Sequence, residues 1–271
     1  DELINNIPKA TVLMGVPTFY TRLLSNDSFN NKLCEKMRLF ISGSAPLLAE
    51  THIDFEKRTG HKILERYGMT ETNMSTSNPY EAERRAGTVG FPLPGIEVKI
   101  TDPKTENELP RGEIGNLEVR GPNVFVGYWN MPEKTKEELR EDGFFITGDL
   151  GLMDEDGYVQ IIGRDKDLII SGGFNIYPKE LELLLDEQEG VIESAVIGVP
   201  HPDFGETPLG ILVREKSAEP KIDKIEKIIK SQLDRYKHPK RFIVIDELPR
   251  NTMGKVQKNL LRDQYLSLIH I

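Results

Sequence analysis

Cysteine is almost absent from this sequence of 271 residues. Cys34 is the single one, so the chain cannot form an internal disulfide and cannot build a metal site from several thiolates. Such low cysteine usage is typical of proteins kept in a reducing compartment. We therefore expect an intracellular protein, located in the cytoplasm or, if its source is eukaryotic, in the mitochondrial matrix.

An excess of positive charge and a long apolar run are also absent. The 44 acidic and 35 basic residues give a net charge of −9, which disfavours a broad electrostatic surface for nucleic acid or anionic lipid. No stretch approaches the roughly 18 consecutive apolar residues that a membrane span needs. We therefore expect small-molecule partners, with any anionic ligand bound by local groups, and neither nucleic acid nor a membrane span.

Several catalytic motifs are missing as well. The sequence contains neither the H-E-x-x-H pattern of zinc proteases nor the G-x-S-x-G nucleophile turn. The phosphate-loop pattern G-x-x-x-x-G-K-[ST] fails around Lys255, because Pro249 replaces its first glycine and Val256 its last residue. The five histidines show no metal-like pairing, so we assign them no catalytic role.

The apolar periodicity changes twice along the chain. Residues 10–65 alternate strand and helix, with a helix at 47–58 ended by Gly60, which is typical of an α/β sheet. Short alternating strands between 87 and 163 predict a barrel-like, β-rich subdomain whose one helix is at 132–141. Beyond residue 166 the pattern predicts an α+β domain. Its predicted elements are helices at 178–189 and 222–236 and strands at 191–199 and 242–245.

Two segments near the beginning of the chain carry groups suited to a nucleotide. The small residues at 43–46 follow a predicted strand, so a planar ring or a phosphate can approach the backbone closely. Taken in isolation, a segment of this kind is more often an ordinary strand-to-helix turn. Farther on, Tyr67 offers a stacking surface, Thr70 a phosphate donor and Glu71 a magnesium ligand. A strand end with a solvated glutamate is the alternative interpretation.

Three isolated charged residues are further candidates. Asp149 is predicted at a strand end, where a carboxylate can accept both ribose hydroxyls. Arg164 precedes a predicted hinge at 163–167 and suits a ribose or a phosphate. Lys255 follows Gly254, which lets a lysine project from a turn. The alternatives are a turn aspartate for Asp149 and a common surface-turn arginine for Arg164. A lysine such as Lys255, taken alone, is most often an exposed surface residue.

Taken together and in order, six segments resemble the adenylate-forming acyl-CoA synthetase superfamily. The segments are S-G-S-A-P at 42–46, Y-G-M-T-E at 67–71, T-G-D at 147–149, G-R at 163–164, S-G-G at 171–173 and N-T-M-G-K at 251–255. The amino-acid sequence around the second and third segments is most similar to that of malonyl-CoA synthetases. Other acyl-CoA ligases of the same superfamily remain open.

The resemblance implies an α/β fold combined with an α+β domain. Residues 1–165 would be the last part of the large AMP-binding domain, with its β-rich subdomain at about 87–163, and residues 166–265 a mobile C-terminal domain. The apolar residues 266–271 are interpreted as a non-native tail or an interrupted strand. The superfamily's Ser/Thr/Gly-rich phosphate loop is not among these residues, so we expect a C-terminal portion of a longer enzyme, inactive alone.

The implied reaction has two steps. A carboxylate attacks the α-phosphate of Mg-ATP to give an acyl-adenylate and pyrophosphate, and coenzyme A then displaces AMP to give a thioester. Catalytic roles are implied for Lys255, which would stabilise charge in the first step, and for Thr70 and Glu71, which would hold phosphate and Mg²⁺. The implied nucleotide-binding residues are Gly43, Ser44, Ala45, Pro46, Glu65, Arg66, Tyr67, Thr70, Asp149, Arg164 and Lys255.

The resemblance also implies moving parts and a substrate pocket. Lys166 matches the hinge of the small domain, while Gly172 and Gly173 would let the pantetheine of coenzyme A pass. Related ligases carry a lysine where this chain has Ile170, which puts one phosphate or coenzyme A contact in doubt.

The choice of acid depends on one cation. Arg22, on a predicted helix at 17–24, can pair with the second carboxylate of malonate or methylmalonate, and Ser44 can add a hydroxyl donor. Two alternatives stay open: a ligase for a short-chain or aryl monocarboxylate, and a nonenzymatic module that binds nucleotide or coenzyme A.

Overall fold

The computed structural model describes residues 2–215, 218–251 and 254–266. The chain divides into two compact units, Asp1–Ile161 and Ile162–Ile271. The boundary expected at 165/166 lies just inside the second unit, and the proposed hinge function there stays a prediction. The suggestion that 266–271 form a non-native tail concerns residues that, apart from Leu266, lie outside the described part.

The first unit is a mixed α/β unit. Its helices are α1 (Glu2–Asn6), α2 (Pro17–Leu24), α3 (Ala49–Thr59) and α4 (Pro132–Glu138), with short 3₁₀ helices at Ile7–Lys9 and Asn31–Cys34. Its strands are β1 (Val12–Gly15), β2 (Leu39–Ser42), β3 (Leu64–Met69), β4 (Asn73–Ser77), β5 (Phe91–Pro92), β6 (Glu97–Thr101), β7 (Gly115–Arg120), β8 (Phe145–Met153) and β9 (Val159–Arg164), the last of which continues across the boundary.

Strands β1 to β5 form one sheet in that order. The first three are parallel, with Ser42 opposite Glu65, and β4 and β5 then add antiparallel neighbours. Since parallel strands present their carboxyl ends at one edge, the segments after Gly15 and Ser42 and the end of β3 meet there. The strand-and-helix pattern predicted for residues 10–65 ends too early, because β3 continues to Met69 and Tyr67 lies within a strand.

A cluster of aromatic rings fixes helices α2 and α3 beneath this sheet. The Phe55 ring packs against Tyr20 at 5.4 Å, Phe29 at 5.6 Å and Phe40 at 4.8 Å between centroids, and all four side chains are buried. The contacts with Tyr20 and Phe40 are edge-on and the one with Phe29 is tilted. Edge-on aromatic pairs add to the free energy that burial itself contributes. Gly60, at φ 76°, ends α3 in the left-handed conformation that the sequence predicted.

The second sheet of this unit corrects one expectation. Strands β6, β7, β8 and β9 are neighbours in that order, with β6–β7 and β7–β8 antiparallel, and β6 and β9 lie at opposite edges. The barrel-like subdomain predicted for 87–163 is therefore an open sheet. Four strands are too few to curl into a closed barrel around a side-chain interior.

The second unit is an α+β unit, as predicted. Its elements are β10 (Ile169–Ser171), β11 (Phe174–Ile176), α5 (Pro178–Asp186), β12 (Val191–His201), β13 (Gly205–Arg214), α6 (Ile222–Gln232), β14 (Arg241–Ile245) and α7 (Lys258–Tyr265). The sheet order is β11-β10-β13-β12, and β14 pairs parallel to β13. Both predicted helices end earlier than expected, at 186 and 232.

Sequence reasoning missed strands β10, β11 and β13 of the second unit and also helix α7. The segment is mostly polar, and its single buried apolar side chain is Leu261. That leucine packs into a core cluster with Leu248 and Val199 from elsewhere in the unit. Tertiary packing therefore decides this helix, since one apolar position gives no readable period.

No helix in the described residues is long and apolar enough to cross a membrane.

Candidate nucleotide and carboxylate site

The structure brings together two predicted site residues that are 82 positions apart. The Tyr67 hydroxyl, on β3, donates a hydrogen bond of 2.6 Å to Asp149 Oδ2, on β8. The length is that of a charge-assisted O–H···O⁻ bond. The end of the parallel sheet is thereby tied to the second sheet, and an aromatic face lies next to a carboxylate.

Asp149 occupies a bulge inside β8 rather than the strand end that was predicted. Ile146 pairs with Glu118 and Leu150 with Asn116, so Leu117 alone faces the three residues between them. Thr147 Oγ1 donates to the Leu117 carbonyl at 2.7 Å and accepts from the Asp149 backbone N–H at 3.1 Å. Gly148 takes φ 71°, which side chains disfavour. Bulges of this kind redirect a side chain. Here the bulge directs the Asp149 side chain toward Tyr67.

The loop of small residues after β2 is held by a hydrogen bond to the buried Glu65 side chain. Ser44 adopts the left-handed conformation, φ 68°, and Ser44, Ala45 and Pro46 are all exposed. The backbone N–H of Leu47 donates to Glu65 Oε1 at 3.1 Å, and the Glu65 side chain is buried. Glu65, predicted to border the nucleotide, therefore contacts the loop backbone and supports the loop's position.

A groove of about 300 Å³ lies at the same edge of the sheet. Its lining is mainly apolar, with one charged residue and one hydroxyl; the residues are Met14, Gly15, Val16, Phe19, Ile41, Gly43, Ser44, Arg66, Gly68 and Met74. Arg66 Nη2 lies 2.9 Å from the sulfur of Met14. The structure thus places Ser44 and Arg66 in the groove, whereas Arg22 is exposed on the last turn of α2 and is not among the lining residues.

Thr70 and Glu71 follow β3 at the turn into β4. Thr70 is exposed and Glu71 is half-buried, with its carbonyl accepting from the Phe125 backbone N–H at 2.8 Å. The Tyr128 hydroxyl lies 3.2 Å from Glu71 Oε1 and 2.6 Å from Glu138 Oε2. Burial raises the pKa of Tyr128 well above its ordinary value, and the two carboxylates add to that shift. Sequence reasoning missed Tyr128, which lies in no motif.

Mg²⁺ fits this place only if the protein and the nucleotide share its coordination. Within residues 2–215, 218–251 and 254–266, no group of three or more His, Cys, Asp and Glu could hold a metal ion. Mg²⁺ usually takes one or two protein carboxylates and completes its shell with water and substrate phosphates. The half-buried Glu71 therefore suits a cation that arrives with a nucleotide.

Lys255 belongs to the second unit, in a turn closed by local hydrogen bonds. Its backbone N–H donates to Asn251 Oδ1 at 3.0 Å, and Gly254, at φ 78°, donates to the Asn251 carbonyl at 2.9 Å. Arg250 donates to the Gly254 carbonyl at 2.6 Å and forms an ion pair with Glu193 on β12. Lys255 is exposed. Thr252 and Met253, in the same motif, lie outside the described residues.

The remaining predicted residues also lie in the second unit. Arg164 ends β9, and Lys166 follows in the 3₁₀ helix Asp165–Asp167, where its carbonyl accepts from Arg262 at 3.2 Å. Gly172 and Gly173, at φ 57° and 85°, form the exposed turn between β10 and β11. The hinge and coenzyme A roles of these residues stay predictions.

Comparison with known proteins places this arrangement in a family. The model of the AMP-binding enzymes matches residues 2–129, and that of the AMP-binding enzyme C-terminal domain matches residues 180–255. The chain belongs to the AMP-binding enzymes. The two matches fall on the two different units, and the first includes Tyr67 and Glu71.

Three relatives illustrate the similarity. A malonate–CoA ligase of Arabidopsis thaliana is 41% identical over 97% of this chain and 45% of its own length. A long-chain-fatty-acid–CoA ligase of Bacillus subtilis is 38% identical over 97% and 47%. The crystal structure of ATP-bound MatB from Rhodopseudomonas palustris is 59% identical over 99% and 54%, with a TM-score of 0.95. The chain thus spans about half the length of the curated relatives it matches.

Proposed function

We propose that this chain forms part of an ATP-dependent ligase that activates malonate, or methylmalonate, and transfers it to coenzyme A. The observation that carries the proposal is the Tyr67–Asp149 hydrogen bond, which joins two nucleotide motifs at the sheet edge. The similarity to a malonate–CoA ligase and to MatB supports the choice of acid. The proposal places the reaction in the cytoplasm, with the mitochondrial matrix as the eukaryotic alternative.

In the first step a carboxylate oxygen bonds to the α-phosphorus of ATP, and pyrophosphate leaves. The loop at 43–46 and Tyr67 would border the adenine, while Asp149, with Arg164, would accept the ribose hydroxyls. Lys255 would stabilise the charge that develops on the carboxylate and phosphate oxygens, without exchanging a proton. Preorganised charge suits this role, because the transition state spreads negative charge over several oxygens.

Thr70 and Glu71 would hold the phosphate end of the nucleotide. Thr70 is exposed, so its hydroxyl is accessible and can donate to a phosphate oxygen. Glu71 would hold Mg²⁺, which when bound neutralises phosphate charge. In the second step the thiol sulfur of coenzyme A bonds to the acyl carbon and AMP leaves, with the turn at Gly172 and Gly173 beside the pantetheine and Lys166 as the hinge.

A second candidate activity comes from the lining of the groove. Met14, Val16, Phe19, Ile41 and Met74 make most of it apolar, which suits the alkyl or aryl part of a monocarboxylate. The similarity to a long-chain-fatty-acid–CoA ligase supports the same candidate. Malonate requires instead that its second carboxylate be paired, because an unpaired charge in such a groove is costly. We propose Arg22, which is exposed on α2 and outside the lining of this groove, for that pairing, with the groove residue Ser44 as an added donor.

The test is ATP–pyrophosphate exchange by the protein encoded by the complete reading frame, with a panel of acids. We expect malonate and methylmalonate to support exchange at least about 10-fold faster than butyrate or benzoate, in line with the 1–3 kcal/mol cost of an unpaired buried polar group. The opposite order would establish the monocarboxylate candidate. If no acid in the panel supports exchange but ATP or coenzyme A still binds, the protein is a nonenzymatic binding module.

A further inference from the structure

Tyr128 connects the predicted magnesium ligand to a helix of the first unit. Its hydroxyl oxygen lies 3.2 Å from Glu71 Oε1 and 2.6 Å from Glu138 Oε2. Glu71 lies in the turn after β3, and Glu138 is the last residue of α4. One hydroxyl therefore joins two acidic residues that none of the sequence motifs relates to each other.

The tyrosine itself is held in place from several sides. Its backbone N–H donates to Thr135 Oγ1 at 2.9 Å, and the Lys134 ammonium lies 4.7 Å from the ring centroid. The Phe125 ring packs against it edge-on at 4.8 Å. The backbone and aromatic contacts fix the ring independently of the carboxylates, whereas Lys134 also pairs with Glu138 at 3.8 Å. The hydroxyl accordingly has a defined position.

One hydroxyl proton cannot serve two carboxylates at the same time. The contact with Glu138 has the length of a charge-assisted bond, about 2.5–2.7 Å, so the proton is donated mainly there. The longer contact with Glu71 leaves that carboxylate's lone pairs uncommitted to Tyr128. The tyrosine oxygen nevertheless limits how the Glu71 side chain can rotate, which is what a group that orients a metal ligand must do.

We propose that Tyr128, held by Glu138, is a positioning residue that orients Glu71 for a divalent cation bound with the nucleotide. This inference rests on the proposed function, in which Glu71 is the magnesium ligand. Removing the outer partner of a metal ligand typically lowers metal affinity or activity by about 10- to 100-fold. Deleting the Tyr128 hydroxyl should therefore change the cation requirement rather than the choice of acid.

The test compares Mg²⁺ requirements in the protein encoded by the complete reading frame. Tyr128→Phe keeps the ring between Phe125 and Lys134, and should raise the Mg²⁺ concentration for half-maximal ATP–pyrophosphate exchange by about 10-fold. A second readout is direct: electron paramagnetic resonance of Mn²⁺ with a nonhydrolysable ATP analogue should detect a smaller protein-bound fraction for the variant than for the wild type.

Glu138→Gln separates the hydroxyl from the nearby charge. Its amide oxygen still accepts the Tyr128 proton, so the Mg²⁺ requirement should shift less than in Tyr128→Phe. An equal or larger shift would mean that the Glu138 charge sets the requirement, and would overturn the proposal.

Tyr158→Phe is the matched control. It deletes a hydroxyl of the same unit that donates to the Glu83 carbonyl at 2.9 Å, and it should leave Mg²⁺ and Mn²⁺ behaviour unchanged. A Tyr128→Phe protein with altered thermal stability but unchanged cation binding would also overturn the inference, because the role would then be structural. Absence of exchange by the wild type overturns the proposed function and this inference together, whereas wild-type exchange with an unaltered Tyr128→Phe variant overturns the inference alone.

Discussion

The two units build their candidate functional groups in different ways. In the first unit the decisive contacts join residues far apart in sequence, such as Tyr67 with Asp149 and Tyr128 with Glu71, which are 82 and 57 positions apart. In the second unit, Lys255 lies in a turn whose hydrogen bonds to Asn251 span four residues. The Tyr67–Asp149 contact requires two sheets to be in place, whereas the turn is closed mainly by its own backbone, Asn251 and the adjacent Arg250.

This difference decides what a single substitution is expected to do. A change in the local turn should affect the function of one side chain and leave the fold intact. A change at a long-range contact of the first unit affects a hydrogen bond and the relative placement of two strands. The five predictions that follow compare the two situations, beginning with the largest expected effect.

Lys255→Ala should have the largest effect on activity. We expect adenylate formation to fall by at least about 10²- to 10³-fold, the usual loss when one preorganised charge-stabilising group is removed. Thioester formation from a supplied acyl-adenylate should be spared, since the turn is retained. Single-turnover assays of each half-reaction measure the two effects. Equal loss in both half-reactions would contradict the assignment of the lysine to the first step.

Arg22→Leu tests the acid specificity of the first unit. Arg22 is exposed in this structure, so the pair would lose water only when the acid binds. If Arg22 pairs with the second carboxylate, kcat/KM for malonate should fall by roughly 10²-fold, within the about 2–5 kcal/mol that removing one partner of a buried charge pair costs. Use of butyrate-like acids should be unchanged or improved. Arg66→Leu removes the one charged residue that lines the groove and should raise KM for ATP. A malonate rate that barely changes in Arg22→Leu would remove the main support for that pairing.

Tyr67→Phe tests the long-range contact itself. The variant keeps the aromatic face but loses the hydrogen bond to Asp149, which is of the type worth about 1.5–3 kcal/mol. We expect the dissociation constant for ATP to rise by about 10-fold or more, because the carboxylate loses its orientation. Calorimetric titration with ATP measures it. Asp149→Asn combined with Tyr67→Phe should add little to either change, and full additivity would show that the two residues act independently.

Asp186→Asn should stabilise the second unit near neutral pH. Burial raises the pKa of Asp186 to about 6, against the stabilising hydrogen bond from Ser194. Its contribution to stability is therefore fully present below about pH 3.8 and is lost as the pH rises through about 6. The neutral amide should increase the free energy of unfolding at pH 7.5 by about 1–2 kcal/mol and have little effect at pH 4. Hydrogen exchange of the β12 amides at the two pH values measures this change in the free energy of unfolding.

His52 should give the first unit the opposite dependence on pH, and the smallest effect. The ring is buried on α3, and neither ring nitrogen has a hydrogen-bond partner within the described part of the chain. Burial lowers its pKa; Glu56 opposes that shift, while Lys62 and Arg84 add to it. The stability it contributes is present above about pH 6.5 and is lost as the pH falls below that value. His52→Leu should flatten this dependence in α3 hydrogen exchange; an unchanged slope would argue against it.

The elements that sequence predicted well are those with a local signal. Gly60 ends α3 because the left-handed C-cap needs no side chain, and the spacing of apolar residues placed α2, α3, α5 and α6 within a few residues. Helix α7 was missed because its one buried leucine carries no period. The predicted barrel was wrong because closure depends on the number of strands. The bulge at Asp149 was also missed, since register is a property of two strands.

Sequence by itself determined the residue types and their order: two turns rich in glycine, an aromatic–hydroxyl–carboxylate segment and one lysine after a glycine. These are local, because a turn's conformation depends mainly on its own residues. Only the tertiary structure decided that Tyr67 reaches Asp149, that Glu65 supports a loop, and that Tyr128 lies between Glu71 and Glu138. The physical reason is that such contacts depend on how two sheets and a helix pack, and that packing is fixed by the whole buried core rather than by any one segment.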